Sequence, residues 1–256
     1  MTDPLSIIIV HYDTSGLLRQ CLSSLCAEDL PCEIVVLDNA SPDPSVRQLP
    51  HEFPRVRFVF NEENVGFARA CNQGIRMGQG KYCMLLNPDA VIDGAARRSL
   101  VASMEGHPEA GLVAPRLVNP DGSLQLSVRR FPSLAAIGLR ILRLDRLFRG
   151  PVDRYLMRDW NHGEGRVVDW VMGACMLLRR KAVEEVGLLD EKFFMYYEDI
   201  DLCYRMGQKG WKVRYEPGIA VRHEHQRDSA SWVPNRLAWV HLRSLVRLFR
   251  KHRFPW

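Results

Sequence analysis

The sequence predicts an α/β protein with a mainly parallel, doubly wound sheet, flanking helices and a C-terminal amphipathic helix. Short apolar, β-rich runs recur at 5–10 (LSIIIV), 33–37 (EIVVL), 56–60 (VRFVF) and 82–86 (YCMLL). Their continuous apolar character marks strands covered on both faces. Helical patterns separate them, as the crossovers of a parallel sheet require. Polar turns follow the runs, at His11 to Ser15, at DNASPDP and at NPD, where Asn, Asp and Pro favour chain reversal.

The first helix is expected to run to about Cys26, with Leu17, Leu18, Cys21, Leu22 and Leu25 on one side. A second spans about Gly66 to Met77. Further on, 91–106 reads as a helix, 112–118 as a strand, and 134–149 as one basic, apolar helix with Gly138 as its weak point. WVMGACMLL (170–178) is a strand or another buried element, and 181–187 a short helix. EDIDLCYRMGQKG (198–210) is a helix closed by glycine, which tolerates the left-handed residue that ends a helix. VRYEPGIAV (213–221) is a strand interrupted by a turn, and 235–253 a final helix. No repeat or low-complexity linker divides the chain. One domain over 1–231, with halves of about 1–115 and 116–231, is expected to carry 232–256 as a basic helical extension.

At 256 residues, 46% hydrophobic and 25% charged, the composition is that of an ordinary globular protein and excludes extensive disorder. No apolar run approaches the roughly 20 residues that cross a bilayer. MTDPLSIIIVHYD lacks a basic leader and a small-residue cleavage site, so it reads as a buried strand rather than a signal peptide. Seven cysteines at 21, 26, 32, 71, 83, 175 and 203 form no CxxC pair, which suits reduced thiols and a cytoplasmic location. The net charge is +5. Arginines crowd 129–149 and the last 20 residues, pointing to an anionic surface, either membrane or nucleic acid.

Ligands of such sheets bind beyond the carboxyl ends of the strands, where Asp13, Asp38-Asn39 and Asn87-Pro88-Asp89 fall. Four constellations stand out. In LLNPDA (85–90) a carboxylate just past a buried strand suits Mg²⁺ or Mn²⁺, although an Asx-Pro turn would look the same. In LDNASPD (37–43) Asp38 could accept from a base N–H or a ribose hydroxyl, or simply form a polar turn. In FFMYYEDIDLCYR (193–205) Asp201 and Arg205 stand i,i+4 and are expected to pair, which leaves Glu198 or Asp199 free to face a cleft. A carboxylate beside aromatic rings can reach the working range of a general base; helix capping is the plainer alternative. In VRHEHQRDS (221–229) His223 or His225, beside Arg222, Arg227 and Ser229, could bind a metal or a phosphate, or be structural. A cation, a base and a nucleoside pocket are what sugar transfer from a nucleotide diphosphate needs.

The order of these pieces resembles the family 2 glycosyltransferases of the GT-A fold, and most closely the bacterial rhamnosyltransferase-like branch. The resemblance is carried by IIIVHYD, VVLDNASPD, NEENVGFARACNQGI (61–75), MLLNPDA, DWVMGACMLLRR (169–180), GLLDEKFFMYYEDIDLCYRMGQKGWKV (187–213) and the histidine segment after it, over about 5–230. It implies a GT-A nucleotide-binding half over 1–115 and an acceptor half over 116–231. Asp38 would read the base, and Tyr12, Asp13, Asn64, Gly66, Arg69, Asn72 and Asn87 would line the nucleotide site. Asp89 would be the metal carboxylate of the D-x-D motif, whose first acid is here Asn87, and His223 the late metal or phosphate histidine. Asp199 would be the base of the E-D motif. Trp170, Gly173, Ala174 and Glu198 would shape the donor and acceptor pocket. The implied reaction is inverting transfer, assisted by Mg²⁺ or Mn²⁺, from a dTDP- or UDP-sugar, rhamnose first, to a saccharide or lipid-linked saccharide in cell-surface polysaccharide synthesis.

The last helix places Ala238, Leu242, Leu245, Val246 and Phe249 on one side and Arg236, Arg243, Arg247 and Arg250 on another, near Trp239, Phe254 and Trp256. Leu134, Ile137, Ile141, Leu144 and Phe148 form a similar stripe beside Arg140, Arg143, Arg146 and Arg149. Such faces suit the inner surface of an anionic membrane or pack on the core or a partner subunit. Other readings fit less well. HYDTSG lacks the GxGxxG of a dinucleotide enzyme, and no Walker A sequence is present. Carboxylate clusters would repel nucleic acid, so no nucleic-acid partner is expected. A member that binds a nucleotide sugar without transferring it is the remaining alternative.

Overall fold

The structure is a computed structural model and describes residues 5–28, 31–142, 144–224 and 236–252, with only the backbone of Arg236. The first half is built as its patterns predict. Strands β1 (Leu5–His11), β2 (Glu33–Asp38), β3 (Arg57–Phe60) and β4 (Tyr82–Leu86) lie parallel in the order β3-β2-β1-β4. Helices α1 (Ser15–Cys26), α2 (Leu49–Glu52, after a 3-10 turn) and α3 (Phe67–Met77) connect them. Strand side chains alternate between faces. Ile7 and Ile9 join a core with Leu18, Leu22 and Leu25 of α1, and Ile8 and Val10 one with Ala68, Cys71 and Ile75 of α3. Gly74 lets α3 lie this close, because a Cβ there would overlap Ile8.

The second half comprises β5 (Ala90–Val91), α4 (Gly94–Gly106), β6 (Ala110–Val118), β7 (Val128–Arg129), α5 (Leu134–Ile141), α6 (Arg149–Tyr155), β8 (Arg166–Val168), β9 (Trp170–Val171), β10 (Cys175–Arg179), α7 (Arg180–Val186), α8 (Glu198–Gln208), β11 (Lys212–His223) and α9 (Arg236–Lys251). Here the sheet is mixed. β10 runs antiparallel between β4 and β6, while β11 lies parallel to β6 and antiparallel to β5 and β8. The turn at 172–174 is bonded to the carboxyl end of β4 through Asn87 N–H and Ala174 O, 2.9 Å. A strand that starts there must run back along β4. β7 and β9 form a separate two-stranded ribbon.

Two elements differ from expectation. The helix expected over 134–149 ends at Ile141, and helix resumes only at Arg149. Leu142, Leu147 and Phe148 are exposed, so the apolar stripe has no core to pack on, and helical stability comes mostly from such packing. β11 continues through Pro217-Gly218 as one strand and absorbs them as a register shift between Glu216 and Ala220. The tail helix forms as expected. Its Leu245 and Leu248 are buried, and Ser244 Oγ donates to Met195 O at 2.9 Å. Arg247 and Lys251 turn inward to Asp190, so the arginines do not share one outward face. Among the described residues no helix is long and apolar enough to cross a membrane. All seven cysteines are free.

Candidate active site

A cleft of about 800 Å³ lies over the ends of β4 and β10 and under α5 and α9. Asn87, Trp170, Gly173, Ala174, Glu198, Asp199 and His223 all line it. Asp199 stands at its centre on the first turn of α8. Asp201 is held away by Arg205 Nε at 2.8 Å, the i,i+4 pair the sequence predicts, and by Lys251 and His252 from the end of α9, both 2.7 Å away. Asp199 Oδ1 accepts from Ile200 N–H (2.8 Å) and Oδ2 from Gly173 N–H (3.0 Å). Burial lifts its carboxyl above the ordinary range, against these two donors and the charge of Arg129. In Glu198, burial and then the adjacent Asp199 push the carboxyl well above that range, and its Oε2 has no hydrogen-bond partner among the described residues. Both carboxyls are raised, Glu198 the further of the two, so of these neighbours Glu198 holds a proton in preference to Asp199.

The turn that presents this pair is strained. Tyr196 and Tyr197 both take φ of 71°, a left-handed conformation that costs non-glycine residues energy. It is held from three sides. Gly66, at φ 89°, lets Phe194 O approach to where a Cβ would be 2.7 Å away, and Phe67 N–H donates to that oxygen at 2.7 Å. Ser244 fixes Met195. His241 of α9 packs its ring against Tyr196 (5.1 Å) and Tyr197 (4.9 Å).

At one end of the cleft Asp89 and His223 meet, with 3.3 Å between Oδ1 and Nε2. The Gln125 amide nitrogen donates to Asn119 Oδ1 and to His223 O, both at 2.7 Å. Its oxygen therefore faces His223 Nδ1 at 2.9 Å and takes that N–H, which turns the Nε2 lone pair towards Asp89. Asp89 Oδ1 is buried and accepts no hydrogen bond among the described residues. Two acceptors facing each other fit a cation. No group of three or more His, Cys, Asp or Glu that could hold a metal occurs among the described residues. A hard cation here would complete its shell with substrate oxygens and water. His225, Arg227 and Ser229 lie outside the described residues.

The residues expected around the nucleotide divide. Asp38 is buried, and its Oδ1 accepts from His11 Nδ1–H at 2.8 Å. Thr14 N–H donates to the other ring nitrogen (3.0 Å), which fixes this tautomer. Asp38 Oδ2 keeps only a long bond from Ser41 N–H, 3.4 Å. Tyr12 and Asp13 are exposed at the end of β1. Asn64 accepts from Asn39 Nδ2 and Gly66 N–H, closing the loop before α3. Arg69 pairs with Glu191 at 3.5 Å. Buried Asn72 is bonded to Leu189 and Glu191. These last two tie α3 to the segment before α8 and do not line the cleft.

Sequence reasoning missed Phe67, Arg129, Arg140, Tyr155 and His241, all of which line the cleft. The arginine-rich stretch was the one available signal. Trp170 is buried, with Nε1 donating to Arg130 O at 2.8 Å, and it forms floor rather than a polar contact.

The comparisons agree with this geometry. A model of "Glycosyl transferase family 2" matches residues 6–187, and one of "Glycosyl transferase family group 2" matches 145–254. The N-acetylglucosaminyl-diphospho-decaprenol L-rhamnosyltransferase of Mycobacterium tuberculosis (strain ATCC 25618 / H37Rv) is 30% identical over 268 residues, covering 100% of this chain and 87% of its own. Rhamnosyltransferase WbbL of Escherichia coli (strain K12) is 25% identical over 254 residues, covering 96% and 93%. Among solved structures, GalNAc-T7 with UDP, GalNAc and Mn²⁺ superposes with a TM-score of 0.69 at 16% identity, over 96% of this chain and 47% of that one. S. aureus TarS gives 0.59 at 14%, over 88% and 37%. The chain thus spans about half or less of these structural neighbours, which share its fold, GT-A. The chain belongs to glycosyl transferase family 2 and is a transferase.

Proposed function

We propose that this enzyme transfers a sugar, rhamnose from dTDP-rhamnose first, to a hydroxyl of a lipid-linked saccharide in cell-surface glycan synthesis, with inversion at the sugar carbon. The observation that carries the reading is Asp199 at the centre of the cleft, held by two backbone N–H groups, beside the Asp89–His223 pair. Asp199 takes the proton of the acceptor hydroxyl. The hydroxyl oxygen forms a bond to C1 as the C1–O bond to the nucleotide diphosphate breaks on the opposite face, and the electron pair leaves with the diphosphate. Mg²⁺ or Mn²⁺ held by Asp89 and His223 would supply positive charge opposite that leaving group. Protonated Glu198 keeps a second negative charge away from Asp199. Asn87 and the Gly173-Ala174 turn would bound the donor, and Asp38, with Tyr12, Asp13 and the loop of Asn64 and Gly66, the nucleoside.

The two known rhamnosyltransferases favour rhamnose, and the first names a lipid diphosphate acceptor. Trp239, Leu242 and Val246 of α9 are exposed along with Arg243 and Arg250, and the helix carries no acid, a surface suited to an anionic membrane. The test is transfer from labelled dTDP-rhamnose with Mn²⁺ to membrane extracts rich in lipid-linked saccharide. Label appearing in the lipid fraction only with metal supports the reading. Binding of dTDP-rhamnose with no transfer to any acceptor would leave a sugar-nucleotide binding protein.

A further inference from the structure

The cleft extends past Asp199, away from Asp89 and His223, into a region that the proposed chemistry leaves unused. Its floor has an order. Ala174 meets Asn87, Gly173 meets Asp199, and Trp170 lies opposite Arg129 in the β7–β9 ribbon. Asp199 therefore stands between the Asp89–His223 pair at one end and Arg129 at the other.

Two guanidinium groups line that far end. Arg129 lies 5.2 Å from the Trp170 ring and 5.8 Å from the Tyr155 ring, and Arg140 of α5 is 5.6 Å from the same tyrosine. Among the described residues neither forms an ion pair with a carboxylate within 4 Å. Arg129 Nε is buried with no hydrogen-bond partner among the described residues, and one terminal nitrogen meets Met172 Sδ at 3.7 Å. Arg129 is partly withdrawn from water with Asp199 as its neighbouring carboxyl but no ion pair within 4 Å, which is costly, while Arg140 beside it is exposed. Paired planar cations suit phosphate oxygens. His241 stands at the same end. Beyond the arginines the rim turns apolar and exposed. Ile141 at the end of α5 and Leu242 on α9, both in the lining, are 62% and 44% accessible.

We propose that Arg129 and Arg140 form a phosphate subsite for the acceptor, which takes a saccharide joined through a phosphate ester to a hydrocarbon chain. The phosphate sits between the guanidinium groups, the sugar reaches back to Asp199, and the chain leaves over Ile141 and Leu242. The role given to the acceptor rests on the transfer reading above; the anion site itself does not.

Farnesyl diphosphate is a suitable probe, titrated calorimetrically into the whole protein in EDTA, where a metal-dependent donor site is silent. It should bind, with inorganic pyrophosphate competing and farnesol not binding. Arg140→Gln and Arg129→Gln should each weaken it at least tenfold, while dTDP with Mn²⁺ binds as in the unaltered protein. Arg140 is exposed, so its variant should fold, as its melting curve would show. The proposal is overturned if farnesyl diphosphate does not bind, if farnesol binds as well, or if both variants bind the probe normally. Equal loss of dTDP binding would assign the arginines to the donor and overturn it too. Phosphatidylglycerol vesicles that bind with the same dependence on Arg129 would assign them to bilayer headgroups instead. Failure of dTDP–Mn²⁺ binding in the unaltered protein, by contrast, would sink the transfer reading and leave the anion site standing.

Discussion

Replacing Asp199 by asparagine separates chemistry from architecture. The carboxylate now takes Ile200 N–H on one oxygen and Gly173 N–H on the other. An asparagine has a single carbonyl oxygen and can satisfy only one of them. The other N–H would face an NH₂ group, at a cost of about 1–3 kcal/mol. Removing a carboxylate whose ionisation burial opposes offsets part of that loss. The melting temperature should therefore move by only a few degrees at neutral pH. The rate should behave differently. Loss of a positioned base lowers kcat by about 10²–10⁴-fold, or roughly 2.7–5.5 kcal/mol of barrier. Steady-state transfer with Mn²⁺, read alongside calorimetric binding of dTDP, provides the assay. A variant that keeps kcat within a few-fold of normal, with donor binding intact, would refute the base assignment.

Glu198→Gln should flatten the pH dependence of stability. A carboxyl raised in the fold holds its proton longer than in the unfolded chain, so stability falls as pH rises above the ordinary carboxylate range. The gain in melting temperature should thus be larger at pH 8 than at pH 5, and equal gains would contradict the burial argument. Gly66→Ala should destabilise by about 1–3 kcal/mol, because a left-handed residue would push its Cβ against Phe194 O; chemical denaturation measures it. Gln125→Ala should weaken the Mn²⁺ dependence of dTDP binding about 10–100-fold by releasing His223, with little change in the metal-free titration. Asp89→Ala should abolish the metal-dependent part of that binding altogether.

Much of the scaffold was legible because local pattern and burial agree. LSIIIV, EIVVL and YCMLL are apolar runs broken only by Ser6 and Glu33, and all three become strands covered on both sides. The expected pairing of Asp201 with Arg205, which the structure shows, left Glu198 or Asp199 to face the cleft, and only the family resemblance chose Asp199. The antiparallel β10 was not legible, since strand direction depends on where a turn is anchored, and Ala174 is anchored to Asn87, 87 residues earlier in the chain. The pairing of Gln125 with His223, 98 positions apart, leaves no local trace. The stripe over 134–149 misled for the opposite reason. Its periodicity is helical, yet no core lies beneath its second half. Arg129 and Arg140 were visible as charge but not as lining, because only the fold brings both to one tyrosine ring.

The left-handed pair Tyr196-Tyr197 is braced by Ser244 and His241, which belong to the last helix of the described chain. During synthesis on a ribosome, everything through β11 can emerge and pack before α9 exists. Until that helix arrives, the two tyrosines keep only the brace from Gly66 and Phe67 on Phe194, and the turn that presents Asp199 lacks two of its three supports. The turn that presents Asp199 is thus completed only when α9 packs, and a chain cut just before α9 would keep its sheet while loosening that turn.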